Sequence, residues 1–230
     1  MNTSEDSFIR EVDEELRRDR LVGFWVRYGR SVIALVLVGL AALAGWLVWQ
    51  EQQLKQSRAE SEILDDAMRK AASGGDAAAI KSLDGLKTSS NDGYRASAML
   101  TEAALKLQKR DPDGAAKIYA KVAADETLPT AWRDLALVRQ TAAQYDRVAP
   151  DEVIARLSKL AVKGNPWFGS AGEMVAIAYI KKQRFAEAAK LFDEISADKS
   201  VPESIRKRAT DLSASLSAVP PAAATQGTSK

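Results

Sequence analysis

The chain has 230 residues, 33 basic and 31 acidic, for a net charge of +2, with no His and no Cys. The missing residue types exclude disulfides, thiol chemistry, His-based triads and most zinc sites, along with the usual general base near neutral pH. A nearly balanced charge without a long run of one sign leaves no footprint for nucleic acid.

Residues 4–20 read as an amphipathic helix. Phe8, Ile9, Val12 and Leu16 form one stripe, with acids early and Arg late, as the helix dipole favours. Thr3 and Asp6 resemble a capping pair. Two roles are open: a docking helix for the membrane surface or a cytoplasmic partner, or a tail that only sets topology.

Residues 31–49, SVIALVLVGLAALAGWLVW, carry no charge. Nineteen such residues suffice to cross a hydrocarbon core of roughly 30 Å as a helix. Ten of them are Val, Ile or Leu, which together favour insertion by roughly 3–6 kcal/mol. Arg17, Arg18, Arg20, Arg27 and Arg30 precede the segment, whereas Lys55, Arg58 and Arg69 follow it. Basic residues beside a span are retained in the cytoplasm. Residues 1–30 are therefore expected in the cytoplasm and everything after residue 49 across the membrane. Trp25 and Tyr28 stand near one interface, Trp46 and Trp49 near the other.

A cleavable signal peptide is the competing reading, with Ala42-Leu43-Ala44 as its small-x-small site. Against it, the preceding region is about 30 residues long and mixed in charge, and the apolar run continues to Trp49. Ala41-x-x-x-Gly45 has a spacing that lets two spans approach closely, although small residues are common in spans.

Beyond the span, residues 50–217 are Ala-rich, lack β-type alternation and read as helical. About 150 of these residues are enough for one domain with a real core. Residues 50–72 continue the helix, with Ile63, Leu64, Ala67, Met68 and Ala71 as a packing stripe, and Ser73-Gly74-Gly75-Asp76 is a turn. A loop is expected over residues 88–93 and a tight connection at Asp111-Pro112-Asp113-Gly114. Further turns are expected at Pro150 and at Asn165-Pro166.

Within this region a pattern recurs: small, then large apolar four residues on, then aliphatic three further on. It appears at Ala79/Leu83/Leu86, Ala115/Tyr119/Val122, Val153/Leu157/Leu160 and Ala188/Phe192/Ile195, with steps of 36, 38 and 35 residues. Positions i, i+4 and i+7 share one helical face, so each triplet is a buried stripe. A breaker follows each: Gly93, Pro129, Pro166 and Pro202. One such helix pair cannot bury its own stripe, so neighbours stack into a solenoid. Ile205, Ala209, Leu212 and Leu216 mark a last helix, residues 203–217, that closes the open end. Residues 218–230 are expected to be disordered.

This repeat resembles the tetratricopeptide (TPR) family, whose unit is about 34 residues. The last unit matches best, through Ala176, Tyr179, Ala188, Phe192 and Pro202. Thr141 and Val153 stand where small residues are usual, and Gly93 where Pro is. The fold expected is all-α: one transmembrane helix, then a TPR-like solenoid of helical hairpins.

The layout, with a span ending Gly45-Trp46-x-x-Trp49, resembles the YfgM-type ancillary subunit of the SecYEG translocon. That resemblance implies a bacterial inner membrane, a periplasmic TPR-like domain, and association with SecYEG and a membrane-anchored periplasmic chaperone. It implies no cofactor and no small-molecule substrate. A periplasmic TPR protein of envelope constriction shares the repeat type, so a scaffold for envelope assembly or cell division is the alternative.

First helices of such repeats line a concave face. Candidate partner-binding residues there are Arg133, Arg139, Gln140, Glu173 and Lys181; the other reading is that they are solvated helix faces. Trp132, Trp167 and Phe168 are expected to pack between repeats, and Tyr119, Tyr179 and Phe192 in the core. No enzymatic constellation is visible: Asp65 and Asp66 are adjacent and so point apart on a helix, and no phosphate loop or activated nucleophile occurs.

Overall fold

The computed structural model describes the backbone of residues 3–217 and the side chains of residues 26–217. The stripe at Phe8, Ile9, Val12 and Leu16, the Thr3/Asp6 pair, Trp25 and the tail from residue 218 lie outside the described parts. Among the described residues every regular element is helical. The chain divides into two compact units, Met1–Ala59 and Glu60–Lys230.

The first unit lies within α1 (Thr3–Ala72). No Pro interrupts α1, and its apolar segment consists largely of residues that tolerate a helix well. One helix, Val26–Ala72, is long and apolar enough to cross a membrane. Its apolar side chains are uncovered: Leu35 is 76%, Val38 68% and Trp49 61% exposed. A patch this large and contiguous is rare on a surface that meets water. Around Gly39 and Gly45 no atom would come within 4 Å of an added Cβ, so this helix face is free along its small residues.

The second unit begins with the end of α1. It continues through α2 (Asp76–Leu83), a 3-10 turn (Leu86–Thr88), α3 (Asp92–Gln108), α4 (Pro112–Ala124) and α5 (Thr130–Ala143). It ends with α6 (Pro150–Leu157), α7 (Phe168–Lys181), α8 (Phe185–Ala197) and α9 (Glu203–Ser217). From α2 onward each helix packs on the next in sequence, so the core is a row of local clusters rather than one centre.

All twelve residues of the four triplets are buried. Twelve residues ahead of each triplet stand Ala67, Ala103, Thr141 and Ala176, all fully buried. Three of these four are alanines. Thr141 is the larger exception, and its hydroxyl donates to the Leu137 carbonyl at 2.9 Å, so it buries no unsatisfied polar atom.

Three of the four hairpin turns are built alike. Gly74, Arg110 and Gln183 each take a left-handed conformation, with φ of 80°, 59° and 59°. The next amide then closes back on the helix it leaves: Gly75 to the Lys70 carbonyl at 2.8 Å, Asp111 to Lys106 at 2.9 Å, Arg184 to Tyr179 at 2.9 Å. This satisfies helix-end carbonyls that would otherwise lack partners. Asp111 then caps α4, accepting from the Gly114 amide at 2.8 Å, with Pro112 at the first helical position. The turn before α6 is longer. It is held by Tyr145, whose hydroxyl donates to the Met174 carbonyl at 2.9 Å.

Several details depart from the sequence reading. The expected loop over residues 88–93 is shorter, because the Asn91 side chain accepts from the amides of Gly93 and Tyr94 and starts α3 at Asp92. Within the α1 stripe, Ala67 is buried and Leu64 packs beside it, but Ile63 is 37% and Met68 56% exposed. A single neighbouring hairpin covers less of the helix circumference than the stripe spans.

At the other end Ile205, Ala209, Leu212 and Leu216 of α9 cover Phe192 and Ile195, closing the stack. Gly169 allows close contact there, since a Cβ on it would lie 2.7 Å from Val201 Cγ1. Trp132, Trp167 and Phe168 pack between repeats as expected.

Candidate partner groove

The first helices of three successive hairpins, the end of α1, α3 and α5, line an open cleft of about 390 Å³. Met68 and Ala71 stand one turn apart on α1. Leu100, Ala104 and Gln108 follow at every fourth position along α3. Leu135 and Arg139, again four apart, complete the third side from α5, and Tyr119 of α4 reaches the cleft from below. The lining is mostly aliphatic.

Thr101, Gln108, Tyr119 and Arg139 are its polar members. Tyr119 is only 3% exposed, and its hydroxyl has no hydrogen-bond partner among the described residues. Burial pushes its phenol above the ordinary tyrosine range, opposed by the positive charge of Arg139. Arg139 is exposed and has no ion pair among the described residues.

Of the five candidates read from sequence, Arg139 alone lines this cleft. Glu173 on α7 is engaged by Arg208 of α9, which donates to its two carboxylate oxygens at 2.8 and 2.7 Å. A two-pronged pair of this kind is among the stronger polar contacts, and it ties the last helix to α7. Lys181 lies 4.4 Å from the centre of the Tyr145 ring and 3.6 Å from the Asp146 carboxylate. Arg133 donates to the Thr130 hydroxyl at 3.2 Å. Gln140 is half-buried on α5. The structure does not bring the five together.

Met68, Leu100 and Leu135 were missed as groove residues. Their signal was present: each is a large apolar residue on a first helix, outside the triplets that fill the core.

A second cleft, of about 260 Å³, opens between α7, α8 and the turn after α6, with Tyr179, Glu187 and Glu194 in its walls. Tyr179 is half-buried rather than core. Its ring face carries the Arg184 guanidinium at 4.5 Å, which keeps it at the rim. Arg184 also holds the Glu187 carboxyl below its ordinary range by hydrogen bonding.

Tyr145 gives this unit a distinct alkaline signature. Burial, with the Asp146 charge adding to it, pushes its phenol up to about 12 from 10.0. The unfolded chain therefore loses this proton first as pH rises. The stability that depends on it is complete below pH 10 and is lost between 10 and 12. The thermal midpoint is expected to fall across that window, and Tyr145→Phe is expected to make the fall shallower. Identical profiles for both proteins would remove Tyr145 from the account.

Among the described residues no three acidic side chains are grouped to hold a metal ion. Searches of curated proteins and of solved structures found no match. Residues 23–194 match the tetratricopeptide repeat-like domain, a range that takes in the apolar segment as well as four hairpins to within α8. Four buried triplets in register, each with its small partner twelve residues earlier, are the physical content of that match. The chain belongs to the tetratricopeptide repeat-like family.

Proposed function

We propose that this chain is a non-enzymatic, membrane-anchored binding protein of a bacterial inner membrane. Residues 1–30 face the cytoplasm, residues 31–49 span, and the repeat domain over residues 50–217 works in the periplasm. The observation that supports binding most directly is the aliphatic cleft across three first helices, open and without an occupant from this chain's described residues. Tethering restricts the domain to a thin layer beside the membrane, which raises its effective concentration toward membrane complexes. By the resemblance of its layout, the complex is the SecYEG translocon, which the chain links to a membrane-anchored periplasmic chaperone.

A C-terminal tag tests the placement. In intact spheroplasts the tag is expected to be digested by added protease. Protection until lysis would put the repeats in the cytoplasm and end the periplasmic reading. Crosslinking then tests the partner: SecYEG subunits are expected, and division or cell-wall synthesis proteins in their place would favour an envelope scaffold.

A further inference from the structure

The third hairpin, α5 with α6, is built unlike the hairpins on either side of it. Ala103 and Ala115 hold corresponding buried places in α3 and α4, as Ala176 and Ala188 do in α7 and α8. In α5 and α6 those places go to Thr141 and Val153, both buried and both bulkier than alanine. The distance at which two helices pack depends on the side chains between them, and a close-packed interior does not absorb added volume. The backbones of α5 and α6 are accordingly in much less extensive contact than those of α3 with α4 or of α7 with α8. α5 lies instead along α4, and α6 lies mainly against α7. The boundary between firmly packed neighbours therefore falls inside this hairpin.

The connection across that boundary also differs. The turn over residues 144–149 lacks the left-handed residue that closes the other three hairpin turns. Its side chains reach both ways. Arg147 pairs back with Asp113 of α4 at 2.6 Å. Tyr145 donates forward to the Met174 carbonyl at 2.9 Å, and Lys181 of α7 stands over the Tyr145 ring and beside Asp146. Arg156 of α6 donates to the Gln144 side-chain oxygen at 3.0 Å. Apart from these contacts, Val138 of α5 shares an apolar cluster with Val153 and Leu157 of α6 and with Ala171 and Val175 of α7. Apolar burial is non-directional, so this cluster tolerates a change of angle, whereas the directed polar contacts of the turn oppose one.

Two packed bodies that meet at such a boundary move by hinge or shear. We propose that the third hairpin is the joint of the repeat array: the end of α1 through α5 forms one body, α6 through α9 forms the other, and the turn over residues 144–149 is the strap that limits the swing between them. The first cleft is lined only by residues before the joint and the second only by residues after it. A swing therefore changes how the two clefts are directed toward a partner and leaves the walls of each in place. The inference concerns the array and holds whatever partner the domain binds.

The chain has no Cys, so spin labels can be placed in pairs on the full chain in lipid nanodiscs and their distance distributions read by pulsed electron resonance. Three pairs link exposed positions on the second helices of successive hairpins: Lys81→Cys with Lys121→Cys, Lys121→Cys with Ala155→Cys, and Ala155→Cys with Lys190→Cys. Only the middle pair crosses the joint. Its distribution is expected to be about twice as wide as those of the outer pairs, or wider. Tyr145→Phe removes one strap contact without emptying the core, and it is expected to widen the middle distribution further and leave the outer ones as they were.

Equal widths for the three pairs would overturn the joint, and so would a wider distribution in either outer pair. A middle distribution that neither Tyr145→Phe nor Arg147→Gln alters would overturn the role of the strap.

Discussion

Replacing Phe192 with alanine is expected to lower the unfolding free energy by about 3–5 kcal/mol. Phe192 is fully buried and packs with Phe168, Ala176, Ile195, Val201 and Ala209 from α7, α8, the following turn and α9. The loss combines the transfer of an aromatic side chain with the cavity it leaves. A domain of this size has about 5–15 kcal/mol in total, so a fifth or more is at stake. With a urea dependence of about 1–3 kcal/mol per molar, the midpoint should drop by about 1–5 M.

Repeats couple mainly to their neighbours, so α7, α8 and α9 are expected to become protease-sensitive before the hairpin of α3 and α4. The matched control is Lys190→Ala on the same helix. Lys190 is 79% exposed and lies 3.9 Å from Glu194, and a surface change of this kind is expected to stay within about 0.5 kcal/mol. A Phe192→Ala protein with an unchanged midpoint would contradict the packing described for this end of the stack.

Neutralising Arg17, Arg18, Arg20, Arg27 and Arg30 together is expected to produce the largest functional change, because it acts on which side of the membrane the domain reaches. Residues 17–30 carry five basic residues, against two, Lys55 and Arg58, in the fourteen residues after the span. Each Lys or Arg beside a span biases it toward the cytoplasm, whereas acids contribute little. Without the five, Lys55, Arg58 and Arg69 hold the remaining bias, now in the opposite sense. A C-terminal tag is then expected to divide between protected and accessible populations in spheroplasts. Changing Lys55, Arg58 and Arg69 instead should leave the tag uniformly accessible. If the five-Arg variant keeps one orientation, these residues do not set topology and another signal must.

The repeats were legible because their cause is local. Positions i, i+4 and i+7 fall on one side of any helix whatever surrounds it, so Ala115, Tyr119 and Val122 had to be buried together or not at all. The breakers were legible for a similar reason: Pro129 and Pro202 lack an amide and sit where the next helix begins. Asn91 misled on the loop before α3, since a capping side chain moves a helix start forward by acting on amides two and three residues on.

The groove was much less legible. Glu173 and Arg208 are 35 residues apart, and only the docking of α9 on α7 brings them into a pair. Lys181 likewise stands over the ring of Tyr145, 36 residues earlier in the sequence. Arg139 stayed available because no acidic side chain among the described residues pairs with it.

By itself the sequence determined the helical class, the repeat register, the buried triplets and the presence of a segment apolar enough to span, since each follows from contacts or transfer energies within a few turns of chain. The tertiary structure alone decided which polar side chains are consumed by partners and which face an open cleft. Those outcomes depend on pairings between hairpins, whose distances no local periodicity specifies.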